Sequence, residues 1–199
     1  MFVRLTVVKD VTEIDAVATV LQDKAIPEVI GQRGFQGLTA SGNREAREVG
    51  IVSAWATLED LEASDSVASK LRGVAVAEIG GSATVHVLEQ VYGEFKDRPA
   101  VGSPLRLVSV TAAPERIDQV IERFRSTVLP AMQAQSGYVG GRFMVDRSAG
   151  RAIAGTVWAD EGSMRADDER SQQRRADAAS DGIEVSEPTY REVLFHHTV

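Results

Sequence analysis

The chain contains the same segment twice, 103 positions apart. Residues 34–60 read GFQGLTASGNREAREVGIVSAWATLED, and residues 137–163 read GYVGGRFMVDRSAGRAIAGTVWADEGS. Both begin with Gly–aromatic–x–Gly, and both reach Trp-Ala after the same number of residues. Aligned without gaps, residues 25–60 and 128–163 share eight identities, which include a Pro, two Gly and a Trp. The chain is therefore an internal duplication, and any fold must be able to accommodate two related modules.

Each copy predicts the same six elements in the same order. A first strand of alternating apolar residues, at 3–8 and 105–110, is followed by a helix with apolar residues at i, i+3, i+4 and i+7. A two-stranded hairpin, a second helix and a last strand follow. The order β-α-β-β-α-β is that of a ferredoxin-like module. We therefore predict an α+β fold with one module at 1–95, a linker at 96–104 and a second module at 105–199.

The first helix of each copy carries two local signals. Pro27 and Pro130 occupy equivalent positions near its end, and we expect them to end or kink the helix because proline cannot donate the helical hydrogen bond. Thr12 and Asp15 have the spacing of a capping pair, which predicts the start of the first of these helices.

The third strand of each copy, at 49–55 and 152–158, is apolar or small on both faces. Two helices can cover only one face of a ferredoxin-like sheet, so the other face needs a second cover. The other copy can supply it. We predict that the two antiparallel sheets pack as an intrachain dimeric α+β barrel, a monomer with pseudo-twofold symmetry. Edge strands leave a homodimer open as an alternative.

Composition excludes several classes of function. Among 199 residues, 29 Asp and Glu outnumber 22 Lys and Arg, and neither half has a basic cluster. We therefore expect no nucleic-acid and no membrane partner. The chain has no cysteine, which excludes thiolate metal sites and cysteine nucleophiles. It shows no signal peptide and no apolar run long enough for a membrane helix, so we expect a cytoplasmic protein.

The second copy resembles a known family. Gly-Tyr-x-Gly-Gly-x-x-Met-Val-Asp-Arg at 137–147, followed by Gly-Arg-Ala at 150–152 and Thr-Val-Trp at 156–158, is similar to the antibiotic-biosynthesis-monooxygenase (ABM) type of dimeric α+β barrel. The first copy is collinear with this pattern over 3–95. Most members are homodimers of one module, which implies that this chain is a fused pair. The family includes cofactor-independent oxygenases for phenolic polyketides, haem-degrading oxygenases and proteins of unknown activity.

The resemblance also suggests site residues. Trp55 and Trp158 match the family tryptophan that lines the pocket between sheet and helices. We predict one site with Trp158, Tyr138 and Arg142, and a second with Trp55 and His86 as a candidate general base. No cofactor and no metal is predicted. The first-strand Asn of several active members and the axial His of the haem enzymes are missing, which argues against haem degradation.

Each of these residues also has a plain structural interpretation. The two tryptophans and Tyr138 are typical core residues, and His86 can be an ordinary strand histidine. Arg142 and Arg106 stand at strand positions where an aliphatic residue would be unremarkable, and either can point outward to solvent.

Two functions from different classes follow. The first is a cofactor-independent monooxygenase for a small phenolic or polyketide-like substrate. The second is a non-catalytic barrel that binds a small aromatic or apolar ligand, or that has a structural or stress-related role. A cavity beside Trp158 with at least two converging polar groups favours the enzyme, whereas two solidly filled modules favour the alternative.

Overall fold

The structure is a computed structural model that describes residues 1–199. By its contacts the chain divides into two compact units. The N-terminal unit consists of residues 1–89, 100–102 and 191–199, and the C-terminal unit consists of residues 90–99 and 103–190. The α+β class and the antiparallel pairing predicted from the sequence are confirmed. No helix has the length and apolar character required to cross a membrane.

The N-terminal unit is a sheet in the order β4-β1-β3-β2-β9 with helices packed on one face, and all of its strand pairs are antiparallel. Only residues 82–89 of β4 and residues 191–198 of β9 belong to this unit. The strands are β1 (Phe2–Lys9), β2 (Phe35–Asn43), β3 (Glu48–Trp55), β4 (Ser82–Phe95) and β9 (Thr189–Thr198). The helices are α1 (Val17–Val20), α2 (Ile26–Val29), α3 (Leu58–Ala63) and α4 (Asp65–Ile79).

The C-terminal unit repeats this arrangement. Its strand β7 pairs with β5 and β6, and β5 also pairs with the short strand β8. Residues 90–95, the second part of β4, lie beside β6 in this unit. The strands are β5 (Pro104–Thr111), β6 (Tyr138–Asp146), β7 (Arg151–Trp158) and β8 (Glu184–Val185). The helices are α5 (Ile117–Arg123), α6 (Leu129–Gln133) and α7 (Glu161–Ser180).

The first helix of each copy continues past its proline. A π-helical segment, Leu21–Ala25 in one copy and Phe124–Val128 in the other, precedes the short helix that carries Pro27 or Pro130 in its first turn. The wider π-helical turn accommodates a residue that lacks an N–H and whose ring crowds the preceding turn. Of the two expected outcomes, an end or an irregularity at the proline, the helix shows the second.

A side chain caps the second helix of each copy but not the first helix of the N-terminal copy. Thr57 caps α3 by accepting a hydrogen bond from the Asp60 amide at 3.1 Å, and Asp160 caps α7 by accepting one from the Ser163 amide at 2.7 Å. The predicted Thr12 cap was wrong. Its hydroxyl donates to the Ile79 carbonyl at 3.2 Å, and so it ties the end of α4 to the loop after β1.

Each core lies between the sheet and its helices and is centred on a tryptophan. Trp55 and Trp158 have at most 1% of their surface exposed. Phe35 meets Trp55 edge-on at a ring distance of 5.4 Å, and Tyr138 meets Trp158 in the same way at 5.7 Å. The Gly–aromatic start of each repeat therefore places an aromatic ring against the tryptophan that ends the third strand.

Candidate functional site

Each unit contains one cavity between its sheet and its helices. The volume is about 70 Å³ in the N-terminal unit and about 100 Å³ in the C-terminal unit. We call them the N-terminal and the C-terminal cavity. Aliphatic and aromatic side chains form most of the walls, and a few polar groups enter from β1 or β5, from the third strand and from the second helix. Small, mainly apolar cavities with few polar groups are typical of sites for small ligands.

The N-terminal cavity lies between β1, β3, the first helical segment and α4. Its principal lining residues are Arg4, Thr6, Val8, Leu21, Leu38, Ile51, Ser53, Trp55, Leu71 and Arg72. The C-terminal cavity is built from the equivalent elements. Its principal lining residues are Arg106, Val108, Val110, Phe124, Met132, Phe143, Thr156, Ser171, Arg174, Arg175 and Val185.

The same three polar groups recur at the two cavities: a buried arginine, a hydroxyl and an indole. Arg4 pairs with Ser53 across the strands of its sheet, and Arg106 pairs with Thr156. Both arginines are buried, with 3% and 5% of their surface exposed. In each unit the tryptophan indole N–H donates to the hydroxyl two residues earlier, at 3.1 Å. The duplication has therefore kept a polar group of three, although the sequence around it has diverged.

Each buried arginine is held by the second helix of its copy. Arg4 donates to the Ser64 hydroxyl at 2.9 Å and to the Leu61 carbonyl at 2.7 Å, and it forms an ion pair with Asp65. Burial lowers the pKa of Arg4, and the charge of Arg72 lowers it further, against the opposing effect of Asp65. The guanidinium is therefore fixed in position at the cavity wall.

In the C-terminal copy more charged residues hold the buried arginine in position than in the N-terminal copy. Arg106 bonds Asp168 at 2.8 Å and forms an ion pair with Asp167, which has no exposed surface. Arg174 also bonds Asp167, at 2.8 Å. Burial acts to raise the pKa of Asp167, but Arg106, Arg174 and a hydrogen bond from Gln135 outweigh burial and hold that pKa below its usual value.

These charged groups were largely missed by the sequence interpretation. Residues 165–175, RADDERSQQRR, have charges of both signs and no apolar stripe, yet they lie within α7 with Asp167 and Ser171 buried. One signal was available. Arg4 and Arg106 stand at the same place in the first strands, and Asp65 and Asp168 stand 103 positions apart in the second helices.

The structure brings some of the predicted site residues to a cavity. Trp55 lines the N-terminal cavity. Trp158 does not line the C-terminal cavity itself, but its indole bonds Thr156, which does. Tyr138 is buried behind Trp158, and burial raises the pKa of its hydroxyl. A catalytic role for these three residues stays a prediction.

Arg142 and His86 do not reach a cavity. Adjacent residues of a strand point to opposite faces, and the neighbour of Arg142, Phe143, faces the cavity. Arg142 instead donates to Gln90 at 2.7 Å, and burial lowers its pKa to about 10. His86 is exposed and pairs with Leu5, on the face opposite to that of Arg4.

No histidine, aspartate or glutamate lines either cavity. The cavities can bind an apolar group and stabilise negative charge through their arginines, but they provide no side-chain carboxylate or imidazole as a general base at their walls.

Comparison with known proteins extends this picture. No protein-family profile matches the chain. An uncharacterised protein of Mycobacterium tuberculosis strain ATCC 25618 / H37Rv is 26% identical over 199 residues, which cover 98% of this chain and 89% of the relative. A Fusobacterium nucleatum protein, provisionally assigned as a monooxygenase, superposes with a TM-score of 0.72 at 15% identity over 99% of this chain and 94% of its own. An anthrone oxidase-like protein superposes with a TM-score of 0.69 at 14% identity, over 99% of this chain and 92% of its own.

Proposed function

Because this chain has the α+β fold of the ABM-type dimeric barrels, we propose that it is a cofactor-independent oxygenase for a small phenolic or polyketide-like substrate. The observation that carries the proposal is the mainly apolar cavity of each unit, on which an arginine and a hydroxyl converge, with the hydroxyl hydrogen-bonded to a tryptophan indole. The likeness to a monooxygenase candidate and to an anthrone oxidase-like protein supports the same class of chemistry.

The proposed reaction needs little from the protein. In an anthrone-type substrate a ring methylene becomes a carbonyl, one oxygen atom of O₂ enters that carbonyl, and the other leaves as water with the two methylene hydrogens. The substrate supplies all four electrons through its anion. The protein holds that anion in a dry apolar cavity and stabilises its charge by the guanidinium of Arg4 or Arg106 and by a hydroxyl.

The missing general base limits the substrates. With no carboxylate or imidazole at the cavity walls, the substrate must lose its proton to solvent before or during entry. We therefore expect substrates that ionise readily, such as anthrones and polyhydroxylated aromatics, and no turnover of simple alcohols or unactivated rings.

A second function shares the cavity but not the reaction. The same lack of a base favours a protein that binds a small aromatic ligand without transforming it. Oxygen uptake separates the two functions, because binding alone consumes none.

The test is oxygen consumption by the purified chain with anthrone and dihydroxynaphthalene-type compounds, in the presence of a metal chelator and without added flavin. We expect turnover by the wild type, and a loss of at least about tenfold in Trp55→Phe or in Trp158→Phe, depending on which cavity is active. Each change keeps an aromatic ring but removes the indole N–H that holds the Ser53 or Thr156 hydroxyl in position at the cavity. If the compounds bind but no oxygen is consumed, the non-catalytic function is correct. If turnover requires added flavin or metal, the cofactor-independent mechanism is wrong.

A further inference from the structure

Arg72 is a charged side chain of the N-terminal cavity that has no protein partner. It lies on α4, it lines the cavity, and its Nη1 atom is buried without a hydrogen bond. It forms no ion pair. Its charge acts on its neighbour, since it contributes to the lowered pKa of Arg4, for which burial is the main cause. Buried donors in native proteins are almost always satisfied, so an unsatisfied guanidinium nitrogen beside a cavity requires an explanation.

The second copy shows what a satisfied arginine looks like at the same place. Arg175 stands 103 positions after Arg72 and lines the C-terminal cavity. It donates to the Ser171 hydroxyl at 2.9 Å and forms an ion pair with Glu187 at 3.5 Å. The protein itself therefore supplies both partners in the C-terminal unit.

Both partners are replaced by apolar residues in the N-terminal unit. The counterpart of Ser171 is Ala68, 103 positions earlier. In the C-terminal unit Val185 pairs with Val110, and Glu187 lies two residues after Val185. In the N-terminal unit Ala83 pairs with Val8, and Val85 lies two residues after Ala83. Val85 therefore stands as far beyond Ala83 as Glu187 stands beyond Val185, and Arg72 forms no ion pair with a carboxylate.

The two cavities consequently differ in charge. Around the C-terminal cavity Arg106, Arg123, Arg174 and Arg175 are matched by Asp167, Asp168, Asp181 and Glu187. Around the N-terminal cavity Asp65 matches Arg4 and Glu78 matches Lys24, which leaves Arg72 in excess. The C-terminal cavity is neutral, whereas the N-terminal cavity has one positive charge without a counter-ion.

We propose that the N-terminal cavity binds a small carboxylate with an apolar body, and that Arg72 is the counter-ion of its carboxyl group. One excess charge matches a monoanion rather than a phosphate dianion. The planar guanidinium offers two parallel donors to a carboxylate, and the aliphatic walls at Leu21 and Ile51 accept the apolar body. The site goes beyond the proposed oxygenase reaction, because it requires neither oxygen nor turnover.

Calorimetric titration with benzoate tests the proposal, and benzamide serves as the neutral compound of the same shape. We expect the wild type to bind benzoate at least about tenfold more tightly than benzamide. Arg72→Gln should lower benzoate affinity about tenfold or more, and Arg72→Lys should lose less. Arg175→Gln changes the matched arginine of the other copy and should alter benzoate affinity by less than about twofold.

A second variant supplies the missing partners instead of removing the arginine. Ala68→Ser combined with Val85→Glu gives Arg72 the hydroxyl and the carboxylate that Arg175 has, and we expect it to abolish benzoate binding. Val85 is partly exposed, with 40% of its surface accessible, so the change is compatible with folding. Thermal unfolding without ligand checks the fold of every variant, and Arg72→Gln should not lower Tm, because it removes an unsatisfied cation.

Several outcomes would overturn the proposal. They are the absence of benzoate binding, equal affinity for benzamide, equal affinity in Arg72→Gln, or an equal loss in Arg175→Gln. A lower Tm in Arg72→Gln would show that Arg72 has a structural role. All of these measurements are made without an oxygenase substrate, so a failure of the proposed reaction leaves them unaffected.

Discussion

At the scale of single residues, the two tryptophans show what a repeated residue can and cannot predict. Because they are equivalent in the repeat, we expected them at the same structural position in the two modules. Both are buried at the end of the third strand. The partner of each indole was not predicted. Ser53 and Thr156 are different residues, and only the strand geometry shows that their hydroxyls have the same task.

The hydroxyl of Thr156 satisfies a buried donor. Thr156→Val keeps the shape of the side chain and leaves the Trp158 indole N–H without its acceptor, so we expect the free energy of unfolding to fall by about 1–3 kcal/mol. Thr156→Ser keeps the hydroxyl and should lose less. Urea unfolding measures both, and an unchanged stability in Thr156→Val would show that the indole has another acceptor.

The carboxylate of Asp167 is the most deeply buried charge of the C-terminal cavity wall. Asp167→Asn removes the negative charge that Arg106 and Arg174 share. Breaking a buried ion pair in this way lowers the free energy of unfolding by about 3–5 kcal/mol. Asp65→Asn provides a comparison, because the Asp65 side chain is 67% exposed and its partner Arg4 keeps its hydrogen bonds to Ser64 and Leu61, so we expect a smaller loss. Equal losses from the two changes would contradict this assignment.

The lowered pKa of Asp167 also predicts a pH dependence. A carboxyl group whose folded pKa lies below its unfolded value, about 3.9, contributes its full stability above that value and loses it as the pH falls towards the folded pKa. Stability of the wild type should therefore decrease below about pH 4. Asp167→Asn, measured by urea unfolding between neutral and acidic pH, should show a smaller decrease over the same interval.

At the scale of the elements, the sequence predicted the strands well and the helices less completely. The first strands were expected at 3–8 and 105–110 and extend over Phe2–Lys9 and Pro104–Thr111, because alternation reports directly which face of a strand is buried. Helix α7 was harder to interpret. Its inward face carries Asp167 and Ser171 instead of an apolar stripe. A polar residue can be recognised as buried only when its partner is known, and the partner of Asp167 is Arg106 on a distant strand.

The glycine that opens each hairpin is required by its neighbours. Gly137 has φ of +83°, and a Cβ there would collide with the Ser163 side chain at the start of α7. We expect Gly137→Ala to destabilise the protein by about 1–3 kcal/mol. Gly73→Ala is the control, because Gly73 lies in the interior of α4 with open space around it and should gain about 0.5–1 kcal/mol. Equal effects of the two changes would contradict the role assigned to Gly137.

At the scale of the whole molecule, the compact units do not follow the order of the chain. The C-terminal unit includes residues 90–99, in which Gln90 accepts a hydrogen bond from Arg142 and the Tyr92 ring packs at a tilt against Phe124 at a ring distance of 5.8 Å. The sequence repeat could not predict that residues 90–99 belong to the C-terminal unit. A repeat shows which residues of the two copies are equivalent, but it does not show which residues are in contact. The boundaries 1–95 and 105–199 remain a prediction for the sequence modules.

A truncated chain tests this composition of the units. A fragment of residues 103–199 lacks the segment 90–99, and we expect it to unfold without a cooperative transition in a thermal scan followed by circular dichroism. A fragment of residues 90–199 restores that segment and should be more stable. A cooperative transition of equal Tm in both fragments would show that residues 90–99 are dispensable for the C-terminal unit.

The shared segments have a consequence for how such a gene changes over generations. A recombination event that deletes one repeat also removes residues 90–99 or residues 191–199 from the unit that survives. The two copies must therefore be inherited together. Such a gene retains its duplication and still diversifies, and the different environments of Arg72 and Arg175 record how far that diversification has gone.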